Sequence, residues 1–362
     1  MSIKILNSKI KIGKGEPVFV IAEIGKNFIQ TKEEKSIEEY LINAKELIKT
    51  AKESGADAVK FQTHVLEDEQ LNIKVTSPHF SGSDRYNWVK RNEGATPLEF
   101  WQEIKKYCND IDIIFFSTPM SRKAVIKLQE LDLPLWKVGS GDILDFVMLD
   151  YLASTKKPII ISVGMSTLKE VDRSVNFLTK KTDNVILMHC VSKYPCPTEE
   201  LNLKTIEFLQ AKYNLPIGFS DHSIGYDSAI AATNMGAVVI EKHFSFDRDL
   251  WGSDHKVSMT PNEFQKMVEN IRRKDKVEVS NYGEDDKFLN NDEVVFRPFF
   301  RKSLMIGQNI KAGTKITKEM IYAMRPQAHA GGLPSEEYEN ILGKKIIKNL
   351  NKYDPITKDI LE

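Results

Sequence analysis

Cysteine is scarce: Cys108, Cys190 and Cys196 are the only three in 362 residues, and none forms a CxxC pair. That excludes a disulfide framework and a zinc ribbon, and reduced thiols in a cytoplasm are the expected state. Net charge is absent too, with 51 Lys+Arg against 51 Asp+Glu. A chain that projects no field is not expected to bind nucleic acid in general. No apolar run approaches the roughly 18 residues of a membrane span, and the start, MSIKILNSKIKIGKG, lacks the apolar core of a signal peptide. A cytoplasmic protein without membrane contact is therefore expected. No GxGxxG follows the first apolar run, so the usual dinucleotide fingerprint is missing.

What is present is a core-forming composition, 41% hydrophobic with 28% charged, arranged in a regular alternation. Short apolar runs occur at 18–25, 58–62, 113–119, 135–140, 158–164, 185–190, 217–222 and 238–244. They are near-continuous in hydrophobicity, as parallel strands covered on both faces should be. Between them lie helical patterns such as SIEEYLINAKELIKTAKESG and TLKEVDRSVNFLTKK, with Gly55 and Gly236 placed to end two helices. Eight strand–helix units over about 270 residues predict a (β/α)8 barrel rather than a doubly wound sheet. The domain reading is a barrel at 1–275, a polar linker at 276–295 and a small module at 296–362. That module carries strand-like pieces RKSLMIGQNI and KKIIKNL and is too small for much core of its own. One connection, 63–96, is far longer than the usual βα loop and reads either as a lid or specificity loop or as a mobile surface excursion.

A barrel of this kind builds its active site at the C-terminal ends of its strands. Here those ends carry Glu23, Lys60, Gln62, Thr118, Lys137, Ser140, Ser162, Ser192, Tyr194, Ser220, His222 and His243. His222 and His243 end neighbouring strands about 4.8 Å apart, so both imidazoles can meet at one divalent ion, with Glu23 approaching across the closure. Borderline metals suit such nitrogen and oxygen donors. The bland alternative is two hydrogen-bonded histidines and no metal. Lys60 and Lys137, among the hydroxyls of Thr118, Ser140, Ser162 and Ser220, suit a phosphate or carboxylate. A Schiff-base lysine is the competing chemical reading.

At these residues the chain resembles the sialic acid synthase family, enzymes that condense phosphoenolpyruvate with an N-acetylated hexosamine to make a nine-carbon ulosonic acid. The matching runs are AEIG (22–25), KFQT (60–63), FSTP (116–119), KVGSGD (137–142), GMST (164–167), HC…YP (189–195), GFSDHSIG (218–225), EKHF (241–244), SDH (253–255), RKSL (301–304) and MRP (324–326). The resemblance implies a TIM barrel followed by an antifreeze-like (SAF) domain that caps the partner's barrel in a domain-swapped homodimer. It implies a divalent metal, Mn²⁺ first with Mg²⁺ or Co²⁺ as alternatives, on His222 and His243. It further implies phosphoenolpyruvate on Lys60, Thr118, Lys137, Ser140, Ser162, Ser192 and Ser220. The amino sugar would meet Glu23, Gln62, Asp142, Tyr194 and Asp254, and Arg325 would reach its N-acyl group from the other subunit. In the implied reaction the metal polarises the sugar aldehyde, the enol carbon attacks it, water adds and phosphate leaves with C–O cleavage. Lys60, Lys137 and Glu23 are the catalytic candidates, with Glu23 activating that water or protonating the new hydroxyl.

Three departures from the family pattern stand on the sugar side: Lys26-Asn27-Phe28-Ile29-Gln30 in place of an NHNG-like run, Asp142 where Glu is common, and QAHAGGLP at 327–334. With the 63–96 loop they predict shared chemistry on an altered acceptor. The alternatives are a catalytically silent sugar-binding protein on the same fold and a Schiff-base aldolase.

Overall fold

The computed structural model describes residues 2–78, 80–279 and 281–362. Its strands are β1 (Ser2–Lys4), β2 (Lys11–Gly13), β3 (Phe19–Gly25), β4 (Ala58–Thr63), β5 (Ile114–Pro119), β6 (Trp136–Val138), β7 (Ile159–Ser162), β8 (Val185–Cys190), β9 (Ile217–Asp221) and β10 (Val239–His243). Strands β3 to β10 pair in parallel, and β10 returns to β3 with His243 opposite Glu23, closing the eight-stranded barrel. All eight expected strands are present.

The helices outside the barrel form where the sequence supplies both cap and stripe. Ser36 and Glu39 make a reciprocal capping box for helix Ile37–Glu53, which buries Tyr40, Ala44, Leu47, Ile48 and Ala51. Gly55 follows it at φ +90°, and a Cβ there would stand 2.9 Å from Val268. Thr167 and Glu170 cap helix Leu168–Thr179 in the same way.

Period-2 alternation decides what the barrel holds. Each strand sends every second residue inward, apolar at its start and polar at its end: Phe19, Ile21 then Glu23; Ala58 then Lys60 and Gln62; Phe116 then Thr118; Leu135 then Lys137; Ile160 then Ser162; Val239 then Glu241 and His243. The lower layers join Ile3, Ile5 and Ile12 of the antiparallel β1–β2 hairpin in one buried cluster. The stretch 2–13, to which the sequence alone gave no structural role, therefore plugs the barrel floor.

The 63–96 connection packs down instead of straying. Its helices Leu66–Glu69 and Arg85–Ala95 bury Glu69, Arg85, Trp88, Val89 and Asn92, and Phe80 and Trp88 each meet Trp251 edge on and each other tilted, with centroids 5.0–5.4 Å apart. Among the described residues, that favours the lid over the surface excursion.

The 276–295 segment is a strap rather than a free linker. Thr205 donates its hydroxyl to the Asp286 carbonyl at 2.6 Å, and the buried Glu293 carboxylate accepts the backbone N–H groups of Met165 and Ser192, each at 2.8 Å. Beyond it, β11 (Ser303–Ile306) pairs antiparallel with β12 (Ile321–Met324). KKIIKNL, expected to be a strand, makes only isolated bridges at Lys345, Ile346 and Leu350.

This small domain sits on the mouth of its own barrel. Arg301 donates to the carbonyls of Met165 (2.6 Å) and Ser140 (3.1 Å), Lys302 pairs with Asp142 (3.0 Å) and Asp145 (2.8 Å), and the Arg325 N–H donates to the Glu69 carbonyl at 2.8 Å. In the single chain the strap runs along the barrel and brings the chain's own Arg325 to its own mouth, the place at which a second subunit's Arg325 was expected. No helix among the described residues is long and apolar enough to cross a membrane.

Candidate active site

The C-terminal strand ends, the 63–96 lid and the small domain enclose a cavity of about 1050 Å³, counting its open mouth. All fifteen site residues expected from sequence line it. They fall into two ends.

At one end, buried ammonium groups stand among hydroxyls. Lys60 Nζ lies 2.5 Å from Glu23 and donates to Thr118 at 2.9 Å, and Lys137 Nζ donates to Ser162 at 2.6 Å. Glu241 bridges the two lysines at 3.7 Å each and accepts from Ser220 at 3.1 Å. Ser140 and Ser192 hydroxyls face Gly164, where a Cβ would stand 2.7 and 2.5 Å from them. Only glycine leaves that space open, and the buried Ser192 hydroxyl has no protein partner among the described residues. Burial lowers the Lys137 ammonium even with Glu241 near. Burial also pulls Lys60 down, but Glu23 and Glu241 outweigh it and leave Lys60 raised.

At the other end, His222, His243 and Tyr194 cluster. The two imidazole centroids are 5.4 Å apart, and the Tyr194 ring is 4.2 Å from that of His222. His222 Nδ1 meets the Val191 carbonyl at 2.9 Å, which fixes Nδ1–H and turns the Nε2 lone pair free. His243 Nδ1 is buried without a hydrogen-bond partner among the described residues, and burial pushes that ring down to about 3. Burial pulls His222 down as well, but Cys190 and the Val191 carbonyl outweigh it and leave that ring raised. Each ring keeps an uncommitted nitrogen, and a divalent metal bound there would require both to be unprotonated. Glu23, pushed up by burial against the pull of Lys60, is oriented by Gln62 at 2.9 Å. Asp254 lies 4.0 Å from His243.

Asp142 lines the cavity with its carboxylate shared by Arg325 and Lys302. Arg325 accordingly divides its guanidinium between Asp142 and the cavity. One expectation needs correction: Phe28 and Ile29 do not face the sugar side. Both are buried among Tyr40, Phe61 and Phe100 in the layer outside the strands, and of that loop only Lys26 lines the cavity.

Sequence reasoning passed over Glu241, His64, Arg85 and Cys190 as cavity-lining groups. Glu241 was within reach, being two residues before His243 on an inward row. His64 was hidden because it stands in an irregular stretch with no period to reveal its facing side, and Arg85 because its short helix, Arg85–Ala95, carries no clear apolar stripe.

The comparisons agree with the geometry. The NeuB family model matches residues 47–281 and the SAF domain model residues 301–362. The chain is 33% identical to the N,N'-diacetyllegionaminic acid synthase of Legionella pneumophila, covering 94% of this chain and 93% of that one. It is 34% identical to the pseudaminic acid synthase of Helicobacter pylori over 96% and 98% of the two chains. The crystal structure of the spore coat polysaccharide biosynthesis protein spsE of Bacillus subtilis superposes over 100% of this chain and 99% of that one, with a TM-score of 0.81 at 29% identity. With one family model over most of the barrel and relatives matched from end to end, this chain belongs to the NeuB family of sialic-acid-type synthases and carries a C-terminal SAF domain.

Proposed function

We propose that this chain condenses phosphoenolpyruvate with an N-acylated hexosamine, such as N-acetylmannosamine or a modified bacterial amino sugar, to give a nonulosonic acid and phosphate. The observation that carries the reading is the division of one cavity into an ammonium-and-hydroxyl end and an imidazole-and-carboxylate end. Lys60 and Lys137, with Thr118, Ser140, Ser162, Ser192 and Ser220, bind the phosphate and carboxylate of phosphoenolpyruvate. Gln62, Tyr194 and Asp254 position the sugar beside His222 and His243. These two would hold a divalent metal, Mn²⁺ by preference or Mg²⁺ or Co²⁺, which when bound supplies Lewis-acid polarisation of the sugar's aldehyde oxygen. The C3 carbon of phosphoenolpyruvate forms the new bond to the aldehyde carbon, water adds at C2, and the C2–O bond to phosphate breaks. Glu23, its carboxyl raised by burial, exchanges the proton of that water or of the new hydroxyl.

The test is phosphate release from phosphoenolpyruvate across a panel of N-acylated hexosamines with each metal. Release that requires both sugar and metal is expected. No release across the panel contradicts the reading, and a borohydride-trapped lysine adduct would favour an aldolase instead.

The Arg325–Asp142 contact can be made equally between two chains, and a domain-swapped homodimer would do so. Lys137→Met and Arg325→Ala tested together separate the arrangements. If the SAF domain works in trans, a mixed dimer has one barrel lacking both groups and one intact, so a refolded equal mixture should regain about a quarter of wild-type activity. If it works in cis, every site carries one defect and nothing is regained.

A further inference from the structure

Two cations at the sugar end of the cavity make no ion pair within 4.0 Å among the described residues. Arg85 of the 63–96 lid is 6% exposed, lies 4.4 Å from the Phe300 ring centroid, and has a buried Nε with no hydrogen-bond partner among the described residues. Lys26, on the loop after β3, is 9% exposed and lies 5.6 Å from the Trp88 ring. Among the described residues, neither makes an ion pair within 4.0 Å, and neither side chain donates a hydrogen bond to protein. The acids around them are engaged elsewhere. Asp142 is held by Arg325 and Lys302, Glu69 accepts from His64 Nδ1 at 2.8 and 3.0 Å, and Asp254 lies against His243.

Burying a guanidinium and an ammonium at one end of a cavity without a directly paired carboxylate is costly unless a ligand brings the charge. Both groups accordingly show the strain: burial lowers each, to about 10 for Arg85, and for Lys26 the neighbouring Arg85 lowers it further against the pull of Asp254. A third buried group also faces the cavity unsatisfied. With Nδ1–H committed to Glu69, His64 presents an Nε2 that has no protein partner among the described residues, placed to accept a sugar hydroxyl.

We infer that Arg85 and Lys26 are specificity residues that bind an anionic substituent on the acceptor sugar, a phosphate ester or a carboxylate. The inference rests on the synthase reading above. It assigns work to one of the three departures from the family pattern, the 26–30 loop, and to the long 63–96 lid, and it requires a preceding reaction that phosphorylates or oxidises the amino sugar.

The test compares N-acetylmannosamine, its 6-phosphate and its 6-carboxylate (the uronate). Calorimetric binding without metal or phosphoenolpyruvate is measured beside phosphate release with both. One anionic acceptor should bind at least about 10-fold more tightly than the neutral sugar, and its KM should rise with ionic strength. Which of the two does so identifies the anion. Arg85→Gln and, separately, Lys26→Met should bring the anionic-to-neutral ratio of kcat/KM toward one, with partial rescue in Arg85→Lys. Neutral sugar bound as well as both anions overturns the inference and leaves the synthase reading standing, as does an unchanged ratio in folded Arg85→Gln and Lys26→Met. No phosphate release from any acceptor overturns the synthase reading instead.

Discussion

Lys137→Met is expected to lower kcat/KM for phosphoenolpyruvate by about 10² to 10⁴, the loss of one to two charge-assisted contacts to the substrate's anionic groups. The ammonium is 3% exposed, fixed by Ser162 at 2.6 Å and by Glu241 at 3.7 Å, so it reaches the transition state already oriented and pays no reorganisation there. A structural collapse would mimic this result, because removing one member of a buried pair leaves Glu241 short of a counter-charge, at a cost of about 3–5 kcal/mol. Lys137→Met/Glu241→Gln removes both charges and separates the explanations. A double variant with near-wild-type melting and the same loss of turnover places the defect in chemistry. Wild-type kcat/KM in the single variant would remove Lys137 from the phosphoenolpyruvate site. Lys60 should not substitute for it, because Glu23 at 2.5 Å already holds that ammonium.

The barrel was legible because its signals are periodic. Eight apolar runs that switch to polar residues at one end state both the fold and the position of the mouth, and Glu23, Lys60, Lys137, His222 and His243 were readable for the same reason. The floor was less legible. In SIKILNSKIKIG the buried hydrophobic side chains are Ile3, Ile5 and Ile12, and three isoleucines in a basic, turn-rich stretch do not say what they cover. The lid hid Arg85 and His64 because side-chain direction in an irregular stretch, or on a short helix with no clear apolar stripe, is set by tertiary packing, here on Trp251 and Phe300. The Asp142–Arg325 pair joins residues 183 apart in sequence. A resemblance can bring those two together, but spacing cannot show that the carboxylate is spent on the arginine.

Lys302→Met is expected to undock the SAF domain. Its ammonium, 1% exposed, joins Asp142 at 3.0 Å, Asp145 at 2.8 Å and the Met120 carbonyl, so methionine leaves two buried carboxylates with Arg325 alone beside them. A loss of about 3–5 kcal/mol follows, read as a lower Tm, faster proteolysis within 276–295 and a raised KM for the acceptor. Acid should act on the same interface. Burial raises Glu69, but His64, Arg325 and Lys302 hold it at about 2, and Arg297 and Arg301 likewise hold Glu170 at about 2 against its burial. Because both folded values lie below the unfolded carboxylate value of about 4.3, their stabilisation is complete above that pH and is lost as pH falls toward 2. Removing Lys302 takes one cation from Glu69 and narrows the gap, so the pH midpoint for proteolytic release of the SAF domain should move upward in Lys302→Met. An unchanged midpoint would mean that Glu69 does not sense the domain, and that Glu170 with its two arginines alone carries the acid response.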